Sequence, residues 1–286
     1  MIGVGRMGGA MAGTLSRAGF DLVLWNRNPS KANAIAEELG ATAASSPAEA
    51  ASKVDVVVTS LADDAAVDEV YLGRDGIVSG IGSGSVAIDT STVDPATAIR
   101  AGTAVDDAGA VFVDAPVSGS VSTVEQGALT IMVGGDAAAL ARVDPVLAAL
   151  AARVIHVGPR GSGAAAKLAV NALVHGLNVA LSEALVLAER AGVDRAIAYD
   201  VFAAGAAGAP FVQYKRAAYE NPESTPVAFS LDLVAKDLEL ITGLGARVGA
   251  PLRQAEVGLS IVREAVAAGL GEADLSAIAV YLRGLE

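Results

Sequence analysis

The stretch 161–192, GSGAAAKLAVNALVHGLNVALSEALVLAERAG, constrains this chain more than any other part of it. It has no proline and keeps its glycines mainly at its ends. Its Ala, Leu and Val content predicts one continuous helix of about 28 residues, roughly 42 Å long at about 1.5 Å per residue. Lys167, Asn171, His175, Asn178, Ser182 and Glu189 recur at steps of three, four or seven, so they form one narrow polar stripe on an otherwise apolar cylinder. Such a helix is expected to be buried on most sides, with Lys167 and Asn171 one turn apart and facing something polar. No window of about 20 residues is free of Lys, His, Asn or Glu, which argues against a membrane span.

A chain of 286 residues is long enough for two domains, and a hydrophobic share of 53% is ample for their cores. The absence of cysteine rules out disulfides and thiolate metal sites. His156 and His175 stand apart rather than at ligand spacing, so no metal is expected. A net charge of −12 argues against nucleic acid and anionic membrane surfaces as partners. No secretory or transit signal precedes the first motif, and the expectation is a soluble, cytoplasmic protein.

Strand and helix alternate from the beginning. A strand stub at 1–4 is followed by a helix over 8–18 ended by Gly19, a strand at 22–25 and a helix over 29–39 ended by Gly40. Ser46-Pro47 then supplies an N-cap and a first-turn proline for a short helix. VDVVVTSL, from Val54, is the continuous apolar run of a buried parallel strand, and further strands are predicted at 85–89, 111–114, 129–133 and 153–157. This is the pattern of a doubly wound α/β domain over 1–160. Beyond Gly158 no strand is predicted. Helices near 194–204, 210–220, 230–244, 252–268 and 272–282 make an all-helical second domain over 193–286, and the helix at 161–192 joins the two.

Gly3-Val4-Gly5-Arg6-Met7-Gly8 is a G-x-G-x-x-G between a strand and a helix. Its glycines allow a tight turn, a close approach of backbone to pyrophosphate and helix–strand packing, while the helix N-terminus faces the phosphate charge. The first domain is therefore expected to be Rossmann-type and to bind a dinucleotide. Met1-Ile2 is short for the first strand of such a domain, so either the chain extends upstream or the central strand is clipped at a cost in stability. At the end of the second strand, Asn26 stands where an Asp or Glu would bind the ribose hydroxyls of NAD, and Arg27 and Lys31 can supply charge to a 2′-phosphate. This favours NADP, with NAD possible. Two polar loops follow later strands: Asp89-Thr90-Ser91-Thr92, and Asp114-Ala115-Pro116-Val117-Ser118-Gly119-Ser120. In the second, a serine hydroxyl and successive N–H groups beside glycine can form an anion nest for a carboxylate.

GVGRMG, DTSTVDP, DAPVSGS, TIMVGG (130–135), the spaced Gly163, Lys167 and Asn171, and Lys236-Asp237 occur in the order and spacing of the β-hydroxyacid dehydrogenase family, which the whole chain resembles. That family includes 3-hydroxyisobutyrate dehydrogenase and tartronate semialdehyde reductase. The resemblance implies an NADP- or NAD-dependent oxidoreductase acting on a CH–OH group, with a nucleotide domain, an interdomain active site and a helical domain that mediates a homodimer or homotetramer. It implies that Lys167 is the catalytic lysine, with Asn171 as its asparagine partner. It also implies that Ser118, Gly119 and Ser120 hold the carboxylate of a small substrate. Leu61, Thr92 and Lys236 then fall beside the cofactor, with Gly3, Gly5, Arg6, Met7, Gly8, Asn26, Arg27 and Lys31.

The residue types fit that chemistry. Removing hydride from an alcohol carbon requires a group to take the hydroxyl proton, and a lysine whose ammonium form is disfavoured by desolvation can do so near neutral pH. Asn171 can hold the same oxygen or the lysine. His175 is expected to be a hydrogen-bonded core or interface histidine rather than a base. Ser120 replaces a glycine common in the family's carboxylate loop, which narrows the pocket or adds a hydroxyl. Val170 stands where 6-phosphogluconate dehydrogenases carry His, which disfavours phosphogluconate. Imine or other carbonyl reduction on the same scaffold is the alternative, and Lys167 argues against the imine reductases, which commonly lack it. The pocket walls near Phe211, Tyr214, Phe229 and Ser230 do not name the acid.

Overall fold

The structure, a computed structural model, describes residues 1–285; Glu286, the last residue of the expected second domain, lies outside the described residues. The chain forms two compact units, Met1–Lys167 and a second beginning at Leu168.

In the first unit, α1 (Arg6–Arg17) leads to β1 (Val23–Leu24), α2 (Pro29–Leu39) and β2 (Thr42–Ala43). The start and stop of α2 follow from local chemistry. The Asn28 side chain accepts from Ser30 N–H, Pro29 sits in the first turn, and Gly40 ends the helix at φ 64°. Then come α3 (Pro47–Ala51), capped by Ser46, β3 (Val56–Thr59), α4 (Asp64–Leu72), β4 (Val86–Asp89), α5 (Pro95–Asp107) and β5 (Val111–Asp114). They are followed by β6 (Val117–Ser118), α6 (Val121–Glu125), β7 (Leu129–Gly134), α7 (Ala137–Leu150) and β8 (Ala151–Gly158). β3, β4 and β5 run parallel, β7 lies antiparallel to β5 and β6, and β8 pairs with β7. The small strands β2 and β6 were not predicted. The reversal at β7 has a simple cause: α6 is one turn and a half, too short for the crossover that a parallel return needs.

The expected strand at 1–4 reduces to Ile2, which bridges Trp25 on one side and Thr59 on the other. Its N–H donates to Val58 O at 2.8 Å and its carbonyl accepts from Ser60 N at 3.0 Å, so one residue stitches the β1–β2 pair to the main sheet. Ile2 is buried with Val57, Ala87 and Phe112 in one core cluster, and Met11, Leu15, Ile88, Val113, Ile131 and Leu147 form part of another, as the continuous apolar runs of the strands require.

From the first unit α8 (Ser162–Arg190) continues into the second, which adds α9 (Arg195–Ala204), α10 (Pro210–Glu220), α11 (Leu231–Val248), α12 (Arg253–Ala265) and α13 (Ala277–Arg283). α12 stops earlier than predicted, passing into a π turn over Val266–Leu270 with Gly269 at φ 90°. The final helix begins at Ala277 rather than 272 because Asp274 is pinned: its carboxylate takes Lys215 Nζ at 2.8 Å, Ala228 N at 2.9 Å and Ser276 N at 3.1 Å. α8 corrects the expectation of burial on most sides. Its buried face is the polar stripe, with Asn171, His175, Asn178 and Ser182 all under 7% exposed, whereas Leu173 is 77% and Leu187 71% exposed. By length and a mean hydropathy of 1.5, α8 could cross a bilayer. The stripe is nevertheless occupied within the protein: Asn178 Nδ2 donates to Leu275 O at 3.0 Å and Tyr219 OH donates to Asn178 Oδ1 at 2.6 Å.

Candidate active site

The first unit builds a cradle from backbone. Gly3 adopts φ 84°, and a Cβ there would overlap the carbonyl oxygen of Ser60 and touch Leu61. A Cβ on Gly8 would overlap the carbonyl of Gly3. Gly5 is the contrast, since a Cβ there would meet nothing within 4 Å. Gly5 is also the N-cap of α1, and it supplies no side-chain cap, so the open space lies over an uncapped helix N-terminus. Arg6 is exposed and Met7 half-buried beside it. Backbone that can be approached, N–H groups aimed outward and the positive end of a helix dipole fit a pyrophosphate.

Asn26 is turned towards this loop. Its Oδ1 accepts from Val4 N at 3.2 Å and its Nδ2 donates to Asn28 O at 3.1 Å. An aspartate could accept the first bond but could not make the second. Arg27 and Lys31 are exposed, the latter in the first turn of α2. On the next strand end, Leu61 N–H donates to Ser91 Oγ at 2.9 Å, and Ser91 Oγ and Thr59 Oγ1 each donate to Asp89 Oδ1 at 2.6 Å. Burial pushes the Asp89 carboxyl up, and these hydrogen bonds oppose it. The network holds the Leu61 loop to the segment leading to half-buried Thr92.

The two serines of the expected carboxylate loop differ. Ser120 caps α6 and its hydroxyl meets Ser122 Oγ at 2.8 Å and Thr123 Oγ1 at 3.1 Å, so the extra hydroxyl is spent locally. Ser118 ends β6, half-buried, and Gly119 turns the chain between them at φ 146°.

Asp114 is a member of this unit that the motif left without a role. Its carboxylate accepts Gly161 N at 2.8 Å and Ala164 N at 2.9 Å, capping the start of α8 from the end of β5. Burial pushes it up to about 6, while the backbone donors pull the other way. The fit is close: a Cβ on Gly134 would stand 2.5 Å from Asp114 Oδ1, and one on Gly163 2.5 Å from Asp114 O. Lys167, half-buried, follows within the next two turns.

In the second unit Asn171 Nδ2 donates to Asp237 Oδ2 at 2.6 Å, His175 Nε2 lies 3.4 Å from the same oxygen, and Lys236 Nζ pairs with Asp237 Oδ1 at 3.0 Å. Burial would raise the fully enclosed Asp237, but His175 and Lys236 outweigh it and hold the carboxyl below the usual range. His175 is hydrogen-bonded core, as its place on the stripe predicts. Asp237 completes this group, a role that the Lys236-Asp237 motif alone does not assign. Its signal was an acid on the buried stripe of α11, at step three from Val234 and beside Leu238. Of the expected walls, Phe229 lies 5.9 Å from the His175 ring and Tyr214 packs edge-on to Phe211 at 5.7 Å, while Ser230 caps α11.

A strand-end glycine cradle at a helix N-terminus is the arrangement of a dinucleotide-binding domain. Residues 1–158 match the model of the NAD binding domain of 6-phosphogluconate dehydrogenase, and residues 161–282 that of the NAD-binding domain of NADP-dependent 3-hydroxyisobutyrate dehydrogenase. The chain is 34% identical to glyoxylate/succinic semialdehyde reductase 1 of Arabidopsis thaliana over 97% of this chain and 95% of that one. It is 32% identical to mitochondrial 3-hydroxyisobutyrate dehydrogenase of Mus musculus, over 99% of this chain and 86% of that one. Among solved structures, 3-hydroxyisobutyrate dehydrogenase from Salmonella typhimurium superimposes with a TM-score of 0.89 at 31% identity, over 98% of both chains. The chain belongs to the β-hydroxyacid dehydrogenase family, NAD(P)-dependent enzymes that act on CH–OH groups.

Proposed function

We propose that this hydroxyacid dehydrogenase prefers NADP and interconverts a small β-hydroxy acid and its semialdehyde, with Lys167 as the acid–base group. The observation that carries the reading is the start of α8: capped by Asp114, it carries Lys167, and one turn later Asn171 is held by Asp237. A nicotinamide dinucleotide held at the Gly3, Gly5 and Gly8 cradle would supply the hydride acceptor and donor. In oxidation the neutral Lys167 amine takes the hydroxyl proton as hydride leaves the carbon; in reduction its ammonium returns that proton to the carbonyl oxygen. Asn171 supports the same oxygen or the lysine. Ser118 and the Gly119 backbone are the groups suited to the substrate carboxylate. The absence of a carboxylate at Asn26, with Arg27 and Lys31 exposed nearby, supports the choice of NADP. Two of the relatives are named for hydroxyisobutyrate and for glyoxylate or succinic semialdehyde, all small carboxylates. Their names support the substrate class over imines.

The test is a panel of short hydroxy acids and semialdehydes, each with NADP(H) and NAD(H), alongside cyclic imines. Turnover requiring a substrate carboxylate supports the reading, and turnover confined to imines overturns it. We further propose a homodimer or homotetramer. Leu173 and Leu187 on α8, and Ile197 and Val201 on α9 at 59% and 63% exposure, leave more apolar surface than a lone helical unit keeps in water. A concentration-independent monomer mass in solution would refute this assembly.

A further inference from the structure

His175 and Asp237 do more than fill the core. Asp237 offers two oxygens and is completely enclosed, so every donor around it is fixed by geometry rather than by solvent. Oδ2 takes Asn171 Nδ2 at 2.6 Å and faces His175 Nε2 at 3.4 Å, and Oδ1 faces the Lys236 ammonium at 3.0 Å. An ionised carboxylate only accepts, so the Asn171 amide has one permitted orientation: nitrogen towards Asp237, carbonyl oxygen turned away. The position of Asp237 therefore decides which end of Asn171 is offered to the reaction.

His175 stands on α8 one turn beyond Asn171, 3% exposed, with its ring against Phe229. Its Nδ1 is buried without a hydrogen-bond partner among the described residues. A proton on Nδ1 would be an unsatisfied donor, whereas a bare Nδ1 is the lesser penalty. The neutral ring is therefore the Nε2–H tautomer, which donates to Asp237. We infer that His175 is a positioning residue: by donating to Asp237 Oδ2 it fixes the carboxylate that orients the Asn171 amide, so that Asn171 presents an oxygen acceptor to the Lys167 ammonium or the substrate hydroxyl. This inference rests on the catalytic reading of Lys167 and Asn171.

The experiment compares His175→Met, His175→Gln and Asp237→Asn in the full-length protein. Met fills the space without a donor; Gln returns an N–H close to the Nε2 position. His175→Met is expected to lower kcat about tenfold, the effect of a small misplacement of a reacting group, with the KM for NADP(H) unchanged. His175→Gln should recover kcat to within about twofold, and His175→Met should add nothing in the Asp237→Asn background. An unchanged kcat in His175→Met, a Gln variant as impaired as Met, or additive losses would each overturn the inference. A second measurement does not depend on turnover. The chain has two histidines, so ¹⁵N-labelled imidazole spectra, assigned with a His156→Gln variant, report the His175 tautomer directly at alkaline pH. Nε2–H is expected; a dominant Nδ1–H form overturns the inference. Failure of the substrate panel with the Nε2–H tautomer present would instead indict the proposed function.

Discussion

The two units solve the problem of holding a reactive group in different ways. In the first, the cradle at Gly3, Gly5 and Gly8 is backbone: side chains are absent where the chain passes closest to itself, and the one open position, Gly5, lies at an uncapped helix end. In the second, the cluster on Asp237 is made of side chains from two helices, buried and mutually paired. A backbone site tolerates any side chain that points outward and fails where an added Cβ would run into backbone, as at Gly3 and Gly8. A side-chain site tolerates changes of shape and fails when a donor or acceptor is lost. Substitutions of the two kinds should therefore separate cofactor binding from turnover.

The largest effect is expected at Gly3. Alanine there would require φ 84° of a residue with a Cβ and would drive that Cβ into Ser60 O. Together these cost about 4 kcal/mol or more, enough to weaken dinucleotide binding about 10³-fold or to lower the melting temperature if the loop refuses to bind at all. Calorimetric titration of Gly3→Ala with NADP checks it; wild-type affinity would mean the loop is not the cradle. Lys167→Ala should do the reverse, losing about 10²-fold or more in kcat while leaving the Kd for NADP within about twofold. Equal losses in both would show that Lys167 supports the fold instead.

Among the described residues each unit also buries two aspartates, Asp89 and Asp114 in the first and Asp237 and Asp274 in the second, and Asp114 and Asp237 respond oppositely to acid. Burial takes Asp114 from its ordinary 3.8 up to about 6, so the folded state binds the proton more tightly than the unfolded chain. Its contribution to stability is fully present below the ordinary value and is lost as pH rises through about 6. It is worth up to about 3 kcal/mol across that window. For Asp237 burial is outweighed by His175 and Lys236 and the value is lowered, so its contribution is present above 3.8 and is lost as pH falls through its lower folded value. Urea unfolding followed through Trp25, the sole tryptophan and a residue of the first unit, should therefore lose stability from about pH 4.5 to pH 7 in wild type. That slope should become shallower in Asp114→Asn, with Asp89, which burial also pushes up, carrying what remains. Asp237→Asn should weaken the helical unit, followed by circular dichroism, by about 2 kcal/mol with no change of slope in this window. An Asp114→Asn slope equal to wild type would mean that the carboxyl is ionised throughout.

The difference in construction also explains what could be read from residues alone. α2 was legible to its ends, because Asn28-Pro29 and Gly40 carry start and stop signals that act within a few residues. The glycine cradle was legible because a backbone constraint writes itself as a fixed spacing. Asp237 was visible only as an acid in an apolar stripe. Its partners depend on the register between α8 and α11, which no local pattern encodes. The same holds for the antiparallel β7, where the 119–128 link reads as a turn and short helix whichever way the next strand runs. The open side of α8 was missed for a related reason. An apolar helix face reads as buried, yet Leu173 and Leu187 stay exposed among the described residues.

The smallest effect belongs to cofactor choice, because its residues lie on the surface. Asn26 is committed to Val4 N–H and Asn28 O, so it leaves the adjoining 2′ position to Arg27 and Lys31, both exposed. A charge-assisted hydrogen bond is worth about 1.5 to 3 kcal/mol when shielded from water, and solvent at Arg27 pulls it to the lower end, a preference for NADP of roughly tenfold. Asn26→Asp with Arg27→Ala should reverse it. The new carboxylate can keep the bond from Val4 N–H while accepting the free 2′-hydroxyl of NAD, and it repels a phosphate at the same place. The loss of the Asn28 O contact should loosen the loop slightly, so kcat/KM with NAD is expected to rise by less than the value with NADP falls. Measuring kcat/KM for both cofactors in wild type and double variant decides it. A wild type that favours NAD tenfold would show that Arg27 points away from the ribose and that the neutral Asn26 serves the loop alone.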